Sequence, residues 1–154
     1  MKSSPLNISI IGLGSMGLAL TKALLKSKSE IYIWNRTLSK AKELNHKGSN
    51  ICLSPKEAIE NSELIIVCLL NYKVWSEIID SDLKNIDLDG KTIIQLTTGN
   101  VEEVLNHNEW VKKQQGNLLE GAILCFPTQI GTIDSSIILS GDEKIINNYD
   151  EVIK

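Results

Sequence analysis

Gly12-Leu13-Gly14-Ser15-Met16-Gly17 has the spacing G-x-G-x-x-G. In that pattern the first glycine permits a tight turn. The second lets backbone approach a phosphate with no Cβ between them, and the third lets a helix pack close to a sheet. A helix opening at Ser15 would aim N–H groups and a positive dipole end at an anion. The chemistry is capture of a pyrophosphate, with Gly12, Leu13, Gly14, Ser15 and Met16 around it. A plain glycine turn is the alternative, and the flanking elements must choose. About twenty residues on, Trp34-Asn35-Arg36-Thr37 offers a second group. A nicotinamide dinucleotide without a 2′-phosphate is usually held there by a carboxylate on the ribose. No acid stands at that point, and Glu30 falls at the wrong end of the strand. Arg36 presents a planar fork suited to a 2′-phosphate, with Asn35, Thr37 and Lys40 as further donors. It is the one arginine among sixteen basic residues, which favours NADP. A solvated arginine after a strand is the other reading.

The elements that must position these residues follow from hydrophobic periodicity. Ile8–Ile11 reads as a strand, Ser15–Lys26 as a helix, Ile31–Trp34 as a strand and Leu38–His46 as a helix. A weak strand over Asn50–Leu53 comes next. Ser54-Pro55-Lys56-Glu57 then combines an N-cap serine, a first-turn proline and a capping-box glutamate. Leu64–Leu70 (LIIVCLL) is apolar throughout, as a strand covered on both faces should be. Helices are expected over Val74–Ile79 and Val101–Gln115, and strands over Thr92–Leu96, Leu118–Ile123 and Ser135–Leu139. Asp142 can cap a last helix with Ile145, Ile146, Tyr149, Val152 and Ile153 on one face. Alternation of this kind means a Rossmann-type α/β domain over residues 1–154, a doubly wound, mostly parallel sheet with helices on both faces. The glycine motif follows its first strand and opens its first helix, the context a dinucleotide site requires. Leu69-Leu70-Asn71 and Thr97-Thr98-Gly99 fall at carboxyl ends of strands, the edge where such sheets bind ligands. Ordinary loop chemistry remains the alternative for both.

Composition bounds the partners. The 154 residues are 42% hydrophobic and 23% charged, enough for a packed core and against wholesale disorder. Net charge is −3, and the longest basic run is Lys112-Lys113, so a nucleic-acid surface is not expected. No apolar run reaches the ~20 residues of a membrane helix, and no secretory apolar region precedes Gly12. Three cysteines, Cys52, Cys68 and Cys125, form no CxxC pair. They read as small core or edge hydrophobes in a reduced, cytoplasmic protein. Cys68, inside LIIVCLL, is expected to be buried. His46 and His107 fall on polar helix faces and read as solvated surface residues. No metal-ligand spacing appears, and no catalytic acid stands out.

With these residues in hand, the chain resembles the N-terminal half of NADP-dependent imine reductases, within the β-hydroxyacid dehydrogenase and 6-phosphogluconate dehydrogenase superfamily. The segment GLGSMGLALTKALLKSKSEIYIWNRT, from Gly12 to Thr37, follows that pattern without a gap. Glu120–Gly131 (EGAILCFPTQIG) and Ile137–Gly141 (IILSG) match the narrower family. Hydroxyacid dehydrogenases usually carry Ser-Gly-Gly where this chain has Leu124-Cys125-Phe126-Pro127. Lys28-Ser29 replaces the usual Gly-His before the second strand, so the first helix lacks its αL glycine.

The resemblance implies NADP(H) as cofactor, with Leu69, Leu70 and Thr97 along the path to the nicotinamide and an imine or keto compound as substrate. It also implies a second, helical half carrying the proton donor, which this chain is expected to lack. A second chain supplying that half is one expected partner. Three functional classes follow: a half-enzyme of imine reductase type, a non-catalytic NADP-binding or redox-sensing module, and a β-hydroxyacid dehydrogenase-type oxidoreductase.

Overall fold

A computed structural model describes residues 5–42, 44, 48–149 and 152. Its strands are β1 (Asn7–Ile11), β2 (Glu30–Trp34), β3 (Ser49–Ile51), β4 (Leu64–Val67), β5 (Thr92–Gln95), β6 (Asn117–Ile123) and β7 (Ile137–Ser140). Its helices are α1 (Ser15–Leu24), α2 (Leu38–Lys42), α3 (Pro55–Glu60), α4 (Tyr72–Ile78), α5 (Val101–Lys113) and α6 (Glu143–Asn148). One sheet holds all seven strands in the order β3-β2-β1-β4-β5-β6-β7. The pairs from β3 through β6 are parallel. The chain therefore reverses direction of travel across the sheet after β3, and the crevice at that switch point opens beside the end of β1.

The continuous apolar runs serve two cores at once. In β4, Leu64 and Ile66 enter the layer under α1, α2 and α6, while Ile65 and Val67 enter the layer under α3, α4 and α5. Ile94 and Ile93 of β5 divide in the same way. Side-chain period two and helices on both faces explain why these strands lack polar alternation.

Several boundaries differ from expectation. β4 stops at Val67, where its pairing with β1 ends, so Cys68, Leu69 and Leu70 form a loop. Cys68 is consequently half-buried rather than enclosed. α1 ends at Leu24; without the αL glycine, Ser27 closes it by donating both its N–H (2.9 Å) and its hydroxyl (2.7 Å) to the Leu24 carbonyl. β3 is shorter than predicted, and α4 starts two residues early and continues as a π-helical turn over Ile79–Leu83. β7 runs antiparallel to β6; the connection over residues 124–136 holds a single 3-10 turn, Pro127–Gln129, and no crossover α-helix. The ends of the expected helices at His46 and Ile153 lie outside the described residues. No helix among the described residues is long and apolar enough to cross a membrane.

Candidate nucleotide-binding site

Side chains cap four of these helices. Ser54 Oγ accepts the Glu57 N–H (3.1 Å), Asn71 Oδ1 that of Val74 (3.0 Å), Asn100 Oδ1 that of Glu103 (3.0 Å) and Asp142 Oδ1 that of Lys144 (2.8 Å). Helix α1 is different. Its N-cap is Gly14, no side chain caps it, and its first turn holds no acidic residue. The N–H groups at such a terminus need acceptors from elsewhere, and an anion is well suited.

The three glycines have separate tasks. Gly12 has φ +102°, and a Cβ there would collide with the Cys68 carbonyl oxygen. A Cβ on Gly17 would collide with the Gly12 carbonyl oxygen, so α1 rests directly on the turn. Gly14 has nothing within 4 Å of where its Cβ would stand. The protein itself does not require glycine there, but a ligand drawn to the α1 terminus would use the vacant space.

That space belongs to an open cleft of about 750 Å³ above the carboxyl ends of β1, β2 and β4. Gly12, Gly14, Ser15, Met16, Asn35, Arg36, Thr37, Lys40, Leu69 and Leu70 all line it. Arg36, Thr37 and Lys40 are exposed at the β2 end, and Arg36 forms no ion pair among the described residues. Asn35 also has a structural task. Its Oδ1 accepts the Leu13 N–H (2.9 Å) and its Nδ2 donates to the Thr37 carbonyl (3.0 Å), joining the glycine turn to the loop after β2.

Two expected residues stand apart from the cleft. Leu13 is fully buried in the core, so only its backbone serves the turn. Thr97 is 4% exposed; its Oγ1 accepts the Leu69 N–H (3.1 Å) and its N–H donates to Gln95 Oε1 (3.0 Å). It braces the loops instead of facing the cleft.

The far wall was not foreseen. Trp34 and Cys68 line the cleft, and α4 with its π-helical turn contributes Val74, Glu77, Ile78, Ser81 and Asp82. Burial pushes the Cys68 thiol up to about 11, which favours the protonated thiol at neutral pH.

His107 requires a correction. It is 4% exposed, not solvated, with Nδ1 3.6 Å from Glu120 Oε1 and its ring stacked on Trp110. The polar neighbours Asn106 and Asn108 hid its place on the stripe Val104, His107, Val111, which has helical spacing toward the core.

A family model for the NAD binding domain of 6-phosphogluconate dehydrogenase matches residues 7–154. The chain belongs to that family. This NAD(P)-binding domain is 32% identical over 136 residues to the NADPH-dependent reductive aminase of Aspergillus oryzae, covering 88% of this chain and 45% of that protein. The structure of an imine reductase from Pseudomonas sp. superposes with a TM-score of 0.93 at 29% identity, covering 98% of this chain and 52% of that one. An imine reductase from Myxococcus stipitatus in complex with NADP+ gives 0.89 at 29% identity, covering 96% and 52%. The chain thus spans about half the length of these relatives. Its fold is that of the nucleotide-binding domains of imine reductase-like and hydroxyacid dehydrogenase-like oxidoreductases.

Proposed function

We propose that this chain binds NADP(H) and forms the nucleotide half of a reductase acting on C=N bonds. The observation that carries the cofactor choice is the β2 end of the cleft, where Arg36 and Lys40 stand with no carboxylate on the loop after β2 or on α2. The acids of the cleft, Glu77 and Asp82, come from the opposite wall. In this reading the uncapped start of α1 and the open Gly14 take the pyrophosphate, and Arg36 with Thr37 and Lys40 takes the 2′-phosphate. With the adenosine end beyond β2, the nicotinamide would extend the other way along the sheet, toward the loops after β4 and β5. The bound reduced cofactor would supply a hydride. The chain's own part would be to fix the phosphates and, with Leu69 and Leu70 of the cleft lining, to give the nicotinamide end an apolar wall. The C=N substrate class rests on the names of the relatives. The proton donor and the second wall are assigned to the half that the relatives have and these 154 residues do not span.

Titration with NADPH and NADH tests the cofactor choice. One charge-assisted contact contributes about 1.5–3 kcal/mol, roughly ten- to hundredfold in affinity. The protein is expected to prefer NADPH by at least that order, and Arg36→Ala to weaken NADPH binding by that order while leaving NADH binding nearly unchanged. Equal affinities in the unmodified protein would overturn the assignment. A steady-state assay with a cyclic imine tests the assignment of the proton donor: the 154 residues alone are expected to bind NADPH without turnover at the rates of intact enzymes (on the order of 1 s⁻¹ or more).

A further inference from the structure

Beside the cleft, on the α4–α5 side of the sheet, lies a polar cluster to which the cofactor reading gives no task. Glu120 of β6 stands opposite Gln95, the last residue of β5. Both its carboxylate oxygens accept the Tyr72 hydroxyl, at 2.9 and 3.1 Å. Tyr72 is the first residue of α4 and is buried. Burial, followed by the neighbouring Glu120 carboxylate, holds its phenol far above the ordinary range, so it remains a donor at any working pH. Between the two residues passes the turn after β5, and Gly99 lies so close to the Tyr72 ring that any Cβ would collide with it. Thr97 in the same turn accepts the Leu69 N–H, which ties that turn to the loop after β4. The His107 ring packs edge-on against Tyr72 at 5.8 Å and closes the cluster from behind.

From this arrangement we infer that the Tyr72–Glu120 hydrogen bond is a strut across β5 that sets the position of the loops after β4 and β5, making Glu120 a positioning residue for the nicotinamide end of the cofactor. The inference rests on the NADP(H) reading above. In that reading the adenosine end lies on the other side of β1, at Arg36 of the loop after β2 and Lys40 of α2, and shares no residue with the strut. The two ends of one ligand therefore report separately. A residue that merely held the fold together would weaken both.

The test measures affinity for NADPH and for adenosine 2′,5′-bisphosphate, which carries the 2′-phosphate but no nicotinamide. The proteins are the unmodified chain, Tyr72→Phe, Glu120→Ala and Glu120→Gln, each checked for folding by circular dichroism. Tyr72→Phe and Glu120→Ala are expected to weaken NADPH about three- to tenfold, the range of one hydrogen bond. Binding of the bisphosphate should stay within about twofold, because its contacts lie across β1 from the strut and share no partner with it. Glu120→Gln keeps an acceptor oxygen for the Tyr72 hydroxyl and should bind NADPH nearly as the unmodified protein does. Parallel losses for both ligands, no loss for either, or a Glu120→Gln variant as weak as Glu120→Ala would overturn the inference. An unmodified chain that binds neither ligand would overturn the nucleotide reading itself, and this inference with it.

Discussion

Replacing Gly14 by alanine separates the requirements of the fold from those of the ligand. Its φ of −68° suits alanine, and nothing lies within 4 Å of the new methyl group. Alanine is a poorer N-cap than glycine, but it also restricts the unfolded chain, a gain of about 0.4–1 kcal/mol. These effects oppose each other, so folding stability should change by no more than about 0.5 kcal/mol. Binding should respond differently. A pyrophosphate must come within about 3 Å of the first-turn N–H groups to accept from them, and the methyl group occupies that approach. Losing even one such contact removes about 1.5–3 kcal/mol, at least a tenfold loss of NADPH affinity. Gly17→Ala is the control, because its Cβ meets the Gly12 carbonyl oxygen and forces α1 away from the turn. Overpacking of that kind costs about 1–3 kcal/mol of stability. Urea unfolding gives the stabilities, and fluorescence from Trp34 in the cleft wall follows NADPH. Unimpaired NADPH binding by Gly14→Ala would refute the reasoning, as would a stability loss equal to that of Gly17→Ala.

Two further outcomes are expected. Ser54→Ala leaves the Glu57 N–H without its acceptor and should cost about 1 kcal/mol in urea unfolding, with NADPH affinity unchanged because α3 lies outside the cleft lining. Cys52 and Cys68 are both raised from 9.0 to about 11, Cys68 by burial and Cys52 by burial reinforced by the Glu57 carboxylate. The folded state thus holds these protons more tightly than the unfolded one. Their contribution is complete below about pH 9 and is lost as pH rises toward 11. The melting temperature should fall across that window, and a Cys52→Ala/Cys68→Ala variant should show a shallower fall.

What the sequence by itself determined was local. Gly12 and Gly17 could be assigned their turn and their helix contact from spacing alone, because a backbone conformation and a missing Cβ are properties of single residues. Ser54 and Asp142 announced their helices for the same reason: a cap needs only its own side chain and an N–H two or three positions on. The parallel sheet was legible because β4 and β5 carry apolar residues for two faces. The tertiary structure decided where an apolar run stops being a strand. LIIVCLL has no internal signal at Val67, and β4 ends there because its pairing with β1 ends there. Leu70, 85% exposed, is thereby moved from an expected strand onto the cleft rim. Thr97 and Leu13 illustrate the same limit, since spacing can bring a residue to the right edge of a sheet without saying which way its side chain turns. The burial of His107 depended on Tyr72 and Trp75 arriving from α4, and its meeting with Glu120 on a strand brought beside it by the fold. A contact between residues far apart in the chain is a property of the packing, and one helix's periodicity carries no record of its partners.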